Sequence, residues 1–139
     1  MLVYEFMQPA DQIITCKHSD TIESVVDKVL DHKISAVIVV KDENTPVGIV
    51  TKTDLTRAFR KGIALDKTVD SCMSTAHLLT INKNVPHDAA AAIFNSNKVH
   101  HVIVVEDDGK LAGIVTAWDV AREGWLDNKA WPWNRHALM

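Results

Sequence analysis

The chain repeats itself. Residues Ala36–Arg57 read AVIVVKDENTPVGIVTKTDLTR, and residues His101–Arg122, shifted by 65 positions, read HVIVVEDDGKLAGIVTAWDVAR. Eleven of the 22 positions are identical: Val37, Ile38, Val39, Val40, Asp42, Gly48, Ile49, Val50, Thr51, Asp54 and Arg57. A period this long, met twice, predicts two duplicated half-domains rather than a solenoid of short repeats. A half of about 60 residues buries too little surface to stand comfortably alone. The halves are therefore expected to pack their sheets together, and a chain that is 47% apolar has the side chains for it.

Each copy reads β-α-β-β-α. IITC and LLTI are short strand candidates, with Thr15 over Thr80. In DTIESVVDKVLDHK the apolar residues Ile22, Val25, Val26, Val29 and Leu30 recur at helical spacing, which predicts an amphipathic helix. Asp20 is the expected cap, with Glu23 completing a capping box. PHDAAAAIFNSNK is the matching helix, with Pro86 in its first turn. AVIVV and HVIVV are β-branched runs of the kind that form strands buried on both faces. DENT and DDGK are turns, and VGIVT and AGIVT are the return strands. TDLTRAFRKG closes the first copy with Gly62 near its C-cap. WDVAREGW begins the closing helix of the second, which Gly124 is expected to end or interrupt. The fold class is mixed α/β, with the repeats at residues 7–62 and 72–125 and a Trp-rich tail at 126–139.

Charge narrows the function classes. The net charge is −3 with 24% charged residues, which argues against a nucleic-acid partner held on a basic face. No apolar run approaches the roughly 20 residues of a membrane helix, so no membrane partner is expected. MLVYEFMQPADQ has neither the basic nor the apolar region of a signal peptide. Cys16 and Cys72 lie outside any CxxC or metal-ligand spacing and read as reduced thiols in or near the core. The expected location is cytoplasmic, or an organelle lumen should a targeting segment have been trimmed.

The repeated Thr-x-x-Asp admits two readings. As structure, it is a capping pattern: Thr51 and Thr116 cap helices, Asp54 and Asp119 favour the helix N-terminus, and Arg57 and Arg122 pair with them at i,i+3. As chemistry, a strand that ends at a helix N-terminus presents free N–H groups to an anion. There a Thr hydroxyl can donate to a phosphate or sugar oxygen, and an ionised Asp can accept from the two hydroxyls of a ribose. Gly48 and Gly113 let something approach the strand closely.

At these residues the chain resembles the cystathionine β-synthase (CBS) domain family, over about Met7 to Trp125. The pattern Gly-hydrophobic-x-Thr/Ser-x-x-Asp is met in full twice, each time after a VIVV strand and an acidic turn, so the two copies look like one CBS pair, a Bateman module. The resemblance implies adenosine-containing ligands such as AMP, ADP or ATP in two clefts between the repeats. No cofactor is required beyond such a regulatory nucleotide. One cleft would combine Ile114, Thr116 and Asp119 with Ile14, Ser35 and Ala36; the other would combine Ile49, Thr51 and Asp54 with Leu79, His100 and His101. The aspartates would hold ribose hydroxyls, and Ser35-Ala36 suits the edge of an adenine. VHHVIVVED is similar to the phosphate-contacting strand of the γ subunit of AMP-activated protein kinase, except that His100-His101 stands where that strand has His-Arg. The missing arginine counts against tight di- or triphosphate binding, and histidines would make a phosphate contact pH-dependent between about pH 6 and 7.

Other residues carry less. His100 and His101, adjacent on a strand, face opposite sides. His18, His32, His77, His87 and His136 lack metal spacing and read as ordinary. Lys52 follows Thr51 and either reaches a phosphate or is simply solvated. Trp118, in the place of Thr53, either narrows the Asp119 cleft or covers a helix start. Trp125, Trp131 and Trp133 of the tail dock on the module, on a partner or on a second copy. An enzyme is not expected: no nucleophile–base pair, metal box or Gly-rich phosphate loop is apparent, and there are only five glycines. The leading reading is a ligand-sensing regulatory module acting in trans on an unidentified protein. The alternative is a ligand-free dimeric adaptor. Both include a homodimer, because Leu55, Ala58 and Phe59 form a helical stripe that wants cover and the family's modules pair through such helices.

Overall fold

The computed structural model describes residues 1–74, 78–97 and 99–127. The expected tail beyond residue 127, along with His77, lies outside the described residues, as do the side chains of residues 124–127. The elements run β1 (Gln8–Pro9), β2 (Thr15–Lys17), α1 (Ile22–His32), β3 (Ala36–Lys41), β4 (Thr45–Thr51), α2 (Lys52–Arg60), β5 (Thr80–Asn82), α3 (His87–Asn97), β6 (His101–Val105), β7 (Leu111–Thr116) and α4 (Ala117–Asp127). The β-α-β-β-α order therefore occurs twice, β2 to α2 and β5 to α4. The short strand β1 was not foreseen. The chain is mixed α/β with two sheets and four α-helices among the described residues.

The chain divides into two compact units. One is Ile14–Leu78; the other joins Met1–Ile13 to the chain from Leu79 onward. These units and the sequence repeats are cut at different points, because the segment preceding β2 belongs in space with the second repeat.

In the Ile14–Leu78 unit the sheet order is β2-β3-β4. β2 runs parallel to β3, and β3 pairs antiparallel with β4. Val37 and Val39 face the helices and share a core with Val25 and Val29 of α1, Val50 of β4, and Cys16 and Val69. Residues directly opposite each other in an antiparallel pair share a face, so Ala36 with Thr51 and Ile38 with Ile49 occupy the other side of the sheet. The ladder skips a residue between Val39 and Val40. The turn after β3 passes through left-handed Glu43 and Asn44.

The other unit repeats the plan in a four-stranded sheet, β1-β7-β6-β5. Val102, Val104, Ala112 and Val115 meet Ala90 and Phe94 of α3, Val120 of α4, and Val3. His101 stands opposite Thr116 and Ile103 opposite Ile114, and the ladder skips a residue between Val104 and Val105. The bulge has thus been duplicated with the sequence.

Three local expectations are corrected. The cap of α1 is Thr21, whose side chain accepts from Ser24 N–H at 3.2 Å. Asp20 instead accepts from Lys17 N–H at 2.9 Å, one turn too early for the helix. Leu30 is 68% exposed. At roughly 100° per residue it falls at the margin of the stripe centred on Ile22, Val25 and Val29, all three of which are buried. Gly124 neither ends nor interrupts α4, which continues to Asp127. Gly62, by contrast, follows α2 as expected, with φ of 73°. Both cysteines are free thiols packed in or against the core of their unit.

Candidate functional site

β4 passes directly into α2, and Thr51 is the cap between them. Its Oγ1 accepts from Asp54 N–H at 3.2 Å. In return Asp54 Oδ2 accepts from Thr51 N–H at 2.9 Å and from the Thr51 hydroxyl at 3.0 Å. The other oxygen, Oδ1, accepts from the Ser74 hydroxyl at 3.1 Å and from Arg57 Nη1 at 3.2 Å. This carboxylate is 6% exposed. The structural reading of the Thr-Asp pair is therefore realised here in full.

The second copy shares the frame and differs in the filling. Asp119 Oδ2 accepts from Thr116 N–H at 3.0 Å, and Asp119 N–H donates to Thr116 Oγ1 at 3.1 Å. Among the described residues, Oδ1 meets only Arg122 Nη2, at 3.6 Å, with the aspartate side chain 23% exposed. Arg122 also leans towards Glu123, with Nε at 3.9 Å from its carboxylate. His101 shares the face of Thr116 and is half-buried. Burial lowers its pKa below the ordinary 6.5, the neighbouring His100 lowers it further, and Asp119 pulls it partly back up. The uncharged imidazole of His101 is therefore favoured more than in a free histidine.

Around these strand ends, Ile49 and Ile114 share the face of their threonines, and Ala36 stands opposite Thr51. Ser35 is exposed and its carbonyl accepts from Lys52 N–H at 3.0 Å. Exposed His100 plays the same part for Ala117 N–H at 3.1 Å. The structure thus brings Ser35 and Ala36 beside Thr51, and His100 and His101 beside Thr116. Ile14 is half-buried just before β2. Leu79 packs against the core of its unit, and its carbonyl accepts from Ile103 N–H at 3.2 Å. Lys52 is exposed, and Trp118 is 56% exposed. His87 is structural: its Nε2 lies 2.7 Å from the Val120 carbonyl and its ring meets Phe6 edge-on.

The glycines do admit a close neighbour, and it is the chain itself. A Cβ on Gly48 would lie 2.8 Å from Met73 Sδ, and one on Gly113 would lie 2.5 Å from the Gln8 carbonyl oxygen and 2.6 Å from Met7 Sδ. Ser74 bridges Ile49 and Gln8 pairs with Ile114, each beside the glycine. Ser74 was missed by the sequence reading. Its signal was a second, fainter repeat: VYEFMQ (Val3–Gln8) over VDSCMS (Val69–Ser74).

The CBS domain family model matches residues 3–61 and 69–125. An inosine-5'-monophosphate dehydrogenase of Aquifex aeolicus is 30% identical over 109 residues, covering 78% of this chain and 22% of that protein. An uncharacterized protein of Methanopyrus kandleri is 26% identical over 109 residues, covering 78% of this chain and 56% of that one. The chain thus spans about a fifth of the first relative's length and about half of the second's. Among solved structures, CBSX2 of Arabidopsis thaliana in complex with AMP superposes with a TM-score of 0.77 at 26% identity, covering 91% of this chain and 97% of that one. The CBS domain of a bacterial CNNM/CorC family Mg2+ transporter in complex with ATP superposes with a TM-score of 0.79 at 26% identity, covering 88% and 86%. With both repeats matched and the same architecture in these structures, the chain belongs to the CBS domain family, as a CBS pair.

Proposed function

We propose that this chain is a regulatory module that binds an adenine nucleotide, with Asp119 holding the ribose. The observation that carries the reading is the state of that carboxylate. Its Oδ2 is fixed by Thr116 N–H, which orients the group, while among the described residues Oδ1 has only the 3.6 Å contact with Arg122 and the side chain is partly exposed. An oriented carboxylate with an oxygen still able to accept is what a sugar hydroxyl requires. The AMP-bound and ATP-bound relatives support the ligand class.

The surroundings favour few phosphates. Burial disfavours the charged form of His101, and Arg122 is turned back on Asp119 and Glu123. AMP is therefore the expected ligand ahead of ADP and ATP. Thermal unfolding with each nucleotide tests this: a ligand at 100 times its Kd adds about 2.7 kcal/mol. A melting point that none of AMP, ADP, ATP or S-adenosylmethionine moves would leave the adaptor reading in its place.

We place the module in a homodimer that passes the nucleotide signal to a separate protein. Of the expected stripe, Ala58 is buried and Leu55 packs against the core of its own unit, so Phe59, 87% exposed, is what remains to be covered. Light scattering at tens of micromolar, with Phe59→Ser beside the parent chain, checks this. A monomeric mass for the parent chain would remove it.

A further inference from the structure

The two Thr-Asp strand ends are duplicates in sequence and opposites in chemical state. A carboxylate offers about four acceptor positions. At Asp54 all are taken, by Thr51 N–H, the Thr51 hydroxyl, Arg57 and the Ser74 hydroxyl. Among the described residues the Asp119 carboxylate accepts one conventional hydrogen bond, and the Arg122 contact at 3.6 Å lies beyond hydrogen-bonding range. The exposure of the two side chains, 6% against 23%, follows the same order.

The Thr51 hydroxyl and Arg57 have identical counterparts in the second copy; the part of the difference that a change of residue explains traces to one corresponding pair. Ser74 and Gln8 occupy equivalent places, each paired with the isoleucine that follows the glycine. The Ser74 hydroxyl reaches Asp54 Oδ1 at 3.1 Å. The longer Gln8 side chain turns away and donates to the Gln12 carbonyl at 3.1 Å. A serine hydroxyl is the same donor that a sugar would bring, already supplied by the chain.

We infer that Ser74 is an internal occupant of the first strand end, so that the chain takes up one nucleotide, at Asp119, and none at Asp54. This rests on the nucleotide reading above and narrows it to a single site whose selection lies in Ser74 against Gln8. A ribose diol at Asp54 would have to displace Ser74 or Arg57 from a buried carboxylate, whereas at Asp119 it adds to an oxygen that has room.

Calorimetric titration of the full chain with AMP is expected to give one equivalent. Asp119→Asn should weaken it by roughly ten- to a hundredfold, and Asp54→Asn should leave stoichiometry and affinity unchanged. Because Asp54→Asn is expected to weaken the fold, carbodiimide labelling with glycine ethyl ester, read by peptide mass spectrometry, gives a second measure on the parent chain. Asp119 should label and be protected by AMP. Asp54 should stay unlabelled, and should become labelled in Ser74→Ala. Two equivalents of AMP, Asp54 labelled in the parent chain, or Asp54 still silent in Ser74→Ala would overturn the inference alone. No binding of AMP at all would remove the nucleotide reading and this inference together.

Discussion

Replacing each motif aspartate by asparagine should separate the two copies by stability, with no ligand present. Asp54→Asn keeps the shape and removes the charge from a side chain that is 6% exposed. It puts an NH2 where an acceptor stood, facing donors from Thr51, Ser74 or Arg57. Hydrogen bonds to a charged group are worth about 1.5–3 kcal/mol each, and a buried donor left without a partner costs about 1–3 kcal/mol. The Arg57 ion pair is half-exposed and adds little. Since the bonds share one group they do not add fully, and the expected loss is about 3–4 kcal/mol. At Asp119 the same change removes a single capping bond from a partly exposed group, for about 1 kcal/mol. For a chain of this size the melting points should fall by roughly 10 °C and 3 °C respectively. Urea unfolding followed by circular dichroism measures both. Losses equal to within about 0.5 kcal/mol would mean that the extra Asp54 bonds carry no weight, and the closure assigned to Ser74 would lose its energetic basis.

Three further perturbations have signed outcomes. Gly113→Ala should cost more than Gly48→Ala, because its Cβ would strike the Gln8 backbone at 2.5 Å while that on Gly48 meets the flexible end of Met73; about 2–3 against about 1 kcal/mol is expected in urea melts. Folding lowers the His101 pKa from 6.5, so below pH 6.5 the unfolded chain binds more protons: its contribution is complete above pH 6.5 and is lost as pH falls through the folded value. Stability measured from pH 7.5 to 5 should therefore decline, and His101→Gln should flatten that slope. Burial raises the Cys16 thiol to about 11, so a thiolate-selective reagent at pH 8 should leave Cys16 unmodified until the chain is unfolded.

What the sequence revealed was whatever is encoded locally. The VIVV strands, the turns at Glu43-Asn44 and Gly109, the α1 helix and Gly62 after α2 all follow from runs of fewer than fifteen residues. What stayed hidden was set by pairing across the chain. β1 consists of two residues whose partners, Ile114 and Gly113, lie a full repeat and more away, so no periodicity announces it. For the same reason the glycines suggested room for a ligand when the visitor is Met7 or Met73. Asp20 was the expected cap, and it is the contact of the neighbouring Thr21 hydroxyl with Ser24 N–H that makes Thr21 the cap instead. The Thr-Asp pairs were legible as residues, but the filling of each was not, because Ser74 lies twenty positions beyond Asp54.

The identity of GIVTKTD and GIVTAWD in spacing does not by itself argue for two ligands. Both pairs cap a helix with the same reciprocal bonds, Thr51 with Asp54 and Thr116 with Asp119, and a strand that feeds straight into a helix needs its N–H groups satisfied whatever else it does. Capping alone is therefore sufficient to keep Thr and Asp in both copies after duplication. A cap fixes one oxygen of the carboxylate and is indifferent to the other. The second oxygen is where the copies part: Asp54 Oδ1 is satisfied from within by Ser74 and Arg57, and Asp119 Oδ1 is left with a long contact to Arg122. One difference between the two carboxylates thus lies outside the motif, at residues 8 and 74: Ser74 donates to Asp54, whereas Gln8 donates to the Gln12 carbonyl.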